Sequence, residues 1–162
     1  LQLNYYFYLV KKLVIITILL INMKSMSQEK KIFFDHQALI VNNLQKTGDF
    51  YIDILGLQEI PVGAGQDPPK RWFKTDNGKE IHLIQSTSEI NELPKSIHMA
   101  FSPTNFESFI DNLKKNKIDY SNWEGELNTI QERVDGKRQI WIQDPQGYWI
   151  EINDIHSKPN LQ

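Results

Sequence analysis

Cysteine is absent from the chain. That excludes disulfides, thiolate zinc sites and a cysteine nucleophile, so any metal must be held by nitrogen and oxygen. A dominant charge is lacking too: 18 basic and 20 acidic residues are interspersed and leave a formal net charge of −2. Such a chain carries no electrostatic footprint for nucleic acid, and none is expected as a partner. The apolar run Leu13 to Ile21 falls short of the ~20 residues that span a bilayer, so no stable membrane span is expected in the mature form. With 162 residues, the chain suits one domain with a real core and is too short for two.

What the N-terminus does hold is targeting chemistry. Lys11-Lys12 precede the apolar run, polar Asn22-Met23-Lys24 follow it, and Ser25-Met26-Ser27 offers a small-x-small cleavage pattern. Residues 1–27 are therefore expected to be a signal peptide or leader cut near Ser27. The mature protein is then exported, with a bacterial periplasm the simplest setting. A retained anchor is the competing reading, because Tyr5 to Val10 add apolar length upstream. Residues 1–9 also have the look of an over-extended reading frame, with Val10 as an alternative start.

Residues 28–162 read as one domain containing a repeat. Phe33 to Val41 is a strand; Asn42-Asn43 can cap a helix from Leu44 to Leu55, stopped by Gly56. A short strand at Leu57–Pro61 and an irregular loop, Val62–Pro69, come next. Arg71–Thr75 and Glu80–Ser86 form a hairpin turning at Asp76-Asn77-Gly78. The pattern then restarts. Lys95–Ser102 is a strand, Thr104-Asn105-Phe106-Glu107 reads as a capping box opening a helix, and Ile118–Trp123 is a strand. A polar loop covers Glu124–Gly136, and Lys137–Gln143 pairs with Tyr148–Asp154 across the turn Asp144-Pro145-Gln146-Gly147, leaving a frayed tail after Ile155. The order strand-helix-strand-strand-strand thus occurs twice, at about 33–86 and 95–154, with His36-x-Ala38 echoed by His98-x-Ala100. The fold class is α+β: two tandem βαβββ modules whose strands form a curled mixed sheet.

Alternation decides which side chains share a face. Leu39 and Val41, Ile81 and Leu83, Ile97, Met99 and Phe101, and Ile150 and Ile152 take the apolar side, against two amphipathic helices. His36, His82, His98 and Glu151 fall opposite. Imidazoles and a carboxylate are a ligand set for Zn, Ni, Mn or Fe(II). A carboxylate at the centre of an otherwise apolar strand is costly to bury unless a cation meets it. For His82 two readings stand, ligand or cavity lining. Trp72, Trp141 and Trp149 read as core or cavity wall, and Trp72 and Trp141 are the candidates among them to line a substrate. Arg71, Lys137 and Arg138 could grip an anionic substrate or be solvated strand-edge charges. His156 has no role.

These residues carry a resemblance. Asp35-His36-x-Ala38, Phe50-Tyr51-x-x-Ile54-Leu55-Gly56-Leu57, Ile97-His98-x-Ala100-Phe101 and Asp144-Pro145-x-Gly147-x-x-Ile150-Glu151 resemble the vicinal oxygen chelate superfamily. That group includes glyoxalase I, extradiol dioxygenases, fosfomycin-resistance enzymes and bleomycin-binding proteins. The resemblance covers Phe33 to Asp154 and implies metal positions at His36, His82, His98 and Glu151. It also implies a divalent metal cofactor, a small-molecule substrate and a homodimer, for which modules paired across chains are one arrangement. Glyoxalase I normally has Glu where His82 stands. The Arg and Asn that hold glutathione in bacterial glyoxalase I are Ile40 and Ser86 here, which argues against glutathione. The leading expectation is a metal-dependent lyase or isomerase that stabilises an enediolate of a vicinal-oxygen substrate, with Glu151 carrying the proton. A non-haem Fe(II) dioxygenase using His36, His98 and Glu151 is the second reading, and a non-enzymatic small-molecule binder the third.

Overall fold

The computed structural model describes residues 5–14 and 31–158. They fall in two units, Leu1–Phe34 and Asp35–Gln162. In the first, residues 5–14 form an exposed helix, α1. The expected cleavage segment Ser25-Met26-Ser27 lies outside the described residues. Among the described residues, no helix is long and apolar enough to cross a membrane.

The second unit carries the repeat. Its first half runs β1 (His36–Val41), α2 (Leu44–Asp53), β2 (Gln58–Ile60), β3 (Lys70–Lys74) and β4 (Glu80–Gln85). Its second half runs β5 (His98–Phe101), α3 (Phe106–Lys115), β6 (Gln131–Glu132), β7 (Arg138–Gln143) and β8 (Trp149–Asn153). The expected curled sheet resolves into two four-stranded sheets, ordered β1-β4-β3-β2 and β5-β8-β7-β6. In each, the first strand lies parallel to the last and the rest pair antiparallel. The register repeats as well. Trp72 lies opposite His82 across β3 and β4, and Trp141 lies opposite Glu151 across β7 and β8. One core spans both halves, with Val41, Phe73, Leu83, Ile140, Ile150 and Ile152 at its centre. These are the residues of the opposite strand parity, so the apolar periodicity that builds the core also turns the site residues away from the helices.

Several boundaries differ from the sequence expectation, each for a local reason. Residues 33–35 lie outside β1, because its ladder with β4 starts at His36 opposite Glu80. Helix α3 is capped by Asn105, whose Oδ1 accepts from Ser108 N at 2.9 Å, and not by Thr104. Thr104 instead offers its carbonyl to Lys158 N at 3.1 Å. The expected strand Ile118–Trp123 is reduced to bridges from Ser121 to Leu127 and Trp141. Asn122 turns the chain back there, with its Oδ1 accepting from Glu126 N at 2.8 Å. The expected loop Glu124–Gly136 contains β6 and a tight turn, closed by Arg133 N on the Lys137 carbonyl, with Gly136 at φ 75°. The segment after Ile155, expected to fray, is tied down as far as Lys158: His156 N donates to Ser102 Oγ and Ser157 Oγ to the Pro103 carbonyl.

The Asp144–Gly147 turn joins the two halves. Asp144 Oδ1 accepts from Gln146 N and Tyr148 N, both at 2.9 Å, while Oδ2 accepts from Tyr51 Oη on α2 at 3.2 Å. Gln146 and Asn42 exchange two bonds, and Tyr148 Oη donates to the Ile40 carbonyl. Only a residue tolerant of φ 99° closes this turn, hence Gly147.

Gly48, inside α2, is explained by Arg71. A Cβ there would meet the Arg71 guanidinium, which is pinned by Glu59 at 2.8 and 2.7 Å, Asp49 at 3.0 Å and the Gln45 carbonyl at 3.1 Å. Helix propensity alone favours Gly48→Ala by ~1 kcal/mol, whereas forcing apart a pinned guanidinium costs ~1–3 kcal/mol. The expected outcome in urea melts is a loss of about 1 kcal/mol for Gly48→Ala in the native background, reversing to a gain beside Arg71→Ala. The same sign in both backgrounds would remove this account.

Candidate functional site

The face turned away from the helices carries two clusters, one per module. In the first, the His82 ring lies between Trp72 and His36, stacked on both at centroid distances of 4.2 Å with interplanar angles of 12° and 16°. Strand order sets this up, since β1, parallel, and β3, antiparallel, flank β4 and offer His36 and Trp72 on its two sides. His82 Nε2 is 2.9 Å from Glu80 Oε2, two residues back on the same face. His36 Nδ1 is 2.8 Å from Asp35 Oδ2. A carboxylate partner requires each of these nitrogens to carry the hydrogen. His36 therefore keeps its Nε2 lone pair, and its side chain is 42% exposed. For His82, the lone pair left is on Nδ1, with both ring faces covered. Asp35 is held below the ordinary carboxylate range, first by the hydrogen bond from His36 and also by the charges of His36, Lys79 and His82, against a small upward push from desolvation.

The second cluster contains the buried acid. Glu151, with its side chain 9% exposed, accepts at Oε1 from Arg133 Nη1 and Asn153 Nδ2, both at 2.9 Å. Its Oε2 is 3.6 Å from His98 Nε2. The cation that a strand-centre carboxylate needs is thus Arg133, which the sequence reading did not single out. Arg133 follows β6 at the same parity as Gln131, and the Asp135-Gly136 turn signal aims it at β8 across β7. Treating 124–136 as one polar loop hid that signal. His98 Nδ1 bonds the Lys95 carbonyl at 3.0 Å, so Nδ1 carries the hydrogen and Nε2 presents a lone pair in the neutral ring.

Trp141 meets His98 edge-on at 4.6 Å and an angle of 83°, and Trp149 Nε1 donates to the Leu93 carbonyl. Lys95 Nζ sits 4.5 Å over the Trp149 ring and donates to the carbonyls of Asn122 and Trp123 at 3.0 Å. Desolvation there lowers its pKa, partly offset by Glu124. Lys95, expected to open a strand running to Ser102, lies with Leu93 in the linker before β5, which starts at His98; neither was singled out as a site residue, because a backbone carbonyl leaves no mark in sequence.

Trp72 stacks on His82 in the first cluster and Trp141 meets His98 in the second. Arg71 and Arg138 lie on the opposite, helix-facing parity, and carboxylates meet both. Arg71 binds Glu59 and Asp49, and its pKa is raised, chiefly by the hydrogen bonds it donates to Glu59. Arg138 binds Asp154 and Glu107, and its pKa is raised likewise. The four histidine and glutamate positions come together as two pairs, His36 with His82 and His98 with Glu151. Among the described residues, no group of three or more His, Cys, Asp or Glu is placed to hold one metal ion.

The His98–Glu151 pair still fits part of a metal site. Zinc bonds of ~2.0–2.2 Å at the tetrahedral angle place two ligands about 3.4 Å apart, against the 3.6 Å found. A neutral imidazole lone pair facing a carboxylate oxygen at that distance calls for a cation or a proton between them. His36 offers a third nitrogen of the right tautomer from the other module.

Comparison with known proteins agrees with this architecture. The Glyoxalase/Bleomycin resistance protein/Dioxygenase superfamily pattern matches residues 33–152. A glyoxalase family protein from Bacillus anthracis superposes with a TM-score of 0.64 at 22% identity, covering 78% of this chain and 98% of that one. An oxidase, ChaP-H2, gives 0.63 at 20% identity, covering 80% and 95%. A lactoylglutathione lyase from Agrobacterium tumefaciens gives 0.58 at 14% identity, covering 79% and 97%. No curated protein matches the sequence closely enough to count as a relative.

Proposed function

Since the chain belongs to the Glyoxalase/Bleomycin resistance protein/Dioxygenase superfamily, we propose that it is a metal-dependent lyase or isomerase acting on a small substrate with two neighbouring oxygens. The observation that carries this is the meeting of His98 Nε2 and Glu151 Oε2 at 3.6 Å, with the other ring nitrogen committed to the Lys95 carbonyl. His98, Glu151 and His36 would hold a divalent ion, which when bound supplies Lewis acidity toward the substrate oxygens and favours an enediolate. The protein's own residues do the rest. Glu151 takes the proton from the carbon beside the carbonyl and returns it to the neighbouring carbon. Asn153 and Arg133 keep its Oε1 fixed, so that Oε2, once loosened from the ion, is the oxygen that would face the reacting atoms. Trp141 and Trp72 exclude water and cover the substrate's apolar part. Ile40 and Ser86 supply neither the Arg nor the Asn side chain of a glutathione site, so the substrate is not expected to carry glutathione.

The two pairs belong together in a homodimer, the first module of one copy facing the second module of the other. Two features support this. β1 and β5 are both sheet edges, and their site-facing residues His36, Ala38, Ile40, His98 and Ala100 are exposed. Fe(II)-dependent oxygenation is the second reading, favoured by His82. With its Nε2 on Glu80 and both faces stacked, His82 stands apart from a His36, His98 and Glu151 triad.

Elemental analysis of the purified chain tests the proposal, followed by an activity panel in the metal found. One nickel or zinc ion per chain with isomerase or lyase turnover is the expected result. Stoichiometric iron with oxygen uptake selects the second reading. Absence of any bound metal after equilibration with nickel, zinc, manganese and ferrous ions would overturn both.

A further inference from the structure

The two oxygens of Glu151 have different surroundings. Oε1 takes both donors, Arg133 Nη1 and Asn153 Nδ2, and Oε2 is the one turned to His98. Arg133 is also held from behind: its Nε and Nη2 lie 3.2 Å from the two oxygens of Asp135, in the β6–β7 turn. A nearly buried carboxylate thus meets a guanidinium whose own charge is offset by a second, half-exposed carboxylate.

We infer that Arg133 is a built-in competitor for the cation at the His98–Glu151 pair, and that the Arg133–Asp135 contact sets how tightly a divalent ion is held there. The inference rests on the metal-binding reading above. A divalent ion at Oε2 must share the carboxylate with the guanidinium on Oε1, and the two positive groups repel each other across it. Removing the guanidinium leaves Glu151 with the Asn153 amide as its remaining donor and increases its pull on an incoming cation. Removing the Asp135 charge does the reverse: Arg133 is no longer offset, so it binds Glu151 more strongly and repels the ion more. A residue that merely braced the β6–β7 turn would not give shifts of opposite sign at the two positions.

The test is calorimetric titration of the metal-stripped full chain with nickel ion alone, repeated with zinc, alongside a thermal melt without metal. Arg133→Met is expected to tighten the Kd by about tenfold, from the repulsion between a single and a double charge a few ångströms apart at high effective dielectric. It is also expected to lower the melting temperature of the metal-free chain and to regain that loss on adding nickel. Arg133→Lys keeps the charge and should stay near the native Kd. Asp135→Asn should weaken the Kd by about threefold, its carboxylate being screened by solvent. If Arg133→Met does not fold without metal, Asp135→Asn decides alone, since the Asp135 side chain is 48% exposed and the Gly136 turn is unchanged. An unaltered Kd in Asp135→Asn, or a shift in the same direction as Arg133→Met, overturns the role of Arg133 and leaves the metal reading standing. No binding of either ion by the native chain or any variant overturns the metal reading itself.

Discussion

Replacing Glu151 by Gln is expected to leave the fold and, at saturating metal, the bound ion in place while cutting turnover by roughly 10²–10⁴-fold. The amide is nearly isosteric. Its oxygen can still accept from Asn153 Nδ2 and Arg133 Nη1, the two donors now on Oε1, so packing against the Ile150 and Ile152 strand is retained. What is lost is the ability to take and return a proton, and no neighbour can substitute. Among the described residues, Glu80 and Asp35 are each committed to a histidine, at 2.9 and 2.8 Å, and Asp135 to Arg133, at 3.2 Å. With that oxygen on Asn153 and Arg133, the amide NH2 stands where Oε2 was, so metal affinity should drop and turnover is compared at saturating metal. The decisive measurement is kcat against metal occupancy in one preparation. Full occupancy with native turnover removes Glu151 as the base; loss of metal and turnover together makes it only a ligand. Mixing His36→Ala chains with Glu151→Gln chains adds a second constraint. If sites form between copies, one site of each heterodimer has both residues intact, and part of the activity returns.

How far this site was legible beforehand depended on the kind of information each part needs. The shared face of His36, His82, His98 and Glu151 follows from strand parity, because Leu39, Ile81, Met99 and Ile150 alternate with them. Fold class follows from the repeat of the same five-element order. What parity cannot supply is distance. It put four residues on one face but could not say that they would gather as two pairs, His36 stacked on His82 and Glu151 turned to His98. Arg133 was missed for a related reason. β6 is two residues long, too short for an apolar alternation, so the turn at Asp135-Gly136 had no recognisable strand before it. Arg71 and Arg138 illustrate the converse: sequence shows a cation on a strand, and only the partners, Asp49 and Glu59 for one and Glu107 and Asp154 for the other, reveal which side it serves. The cap of α3 moved from Thr104 to Asn105 because either residue can cap, and the choice fell to a tail more than fifty positions away, Lys158, whose N–H takes the Thr104 carbonyl.

The largest effect on stability is expected at Asp144, which holds the two modules together. Asp144→Ala leaves Tyr51 Oη and the N–H groups of Gln146 and Tyr148 without their acceptor. At ~1–3 kcal/mol for a buried donor left unpaired, and with the backbone groups partly reached by water, the expected loss is about 3 kcal/mol. Against a total of ~5–15 kcal/mol, that is a large fraction, and a fall in Tm on the order of 10 °C should be seen. Asp144→Asn separates shape from charge. Burial raises the Asp144 pKa above its ordinary 3.8, only partly countered by the hydrogen bonds from Tyr148, Gln146, Tyr51 and Gly147. A carboxyl whose pKa is raised on folding contributes its full stability below the unfolded value and loses it as pH rises through the folded value. The native protein should therefore lose stability relative to Asp144→Asn as pH climbs from 3.8 through that raised value, and the difference should be flat above it. Asp35, Asp49, Glu59 and Asp154, whose pKa values are lowered, act with the opposite sign. They are common to both proteins and cancel in the difference. Tyr51→Phe removes one of the bonds that hold the Asp144 pKa down, so it should extend the window upward. Melting curves of the native chain and the two variants between pH 3 and 8 check this; a native chain that loses stability relative to Asp144→Asn as pH falls would show that the charged form, and not the neutral one, is what joins the halves.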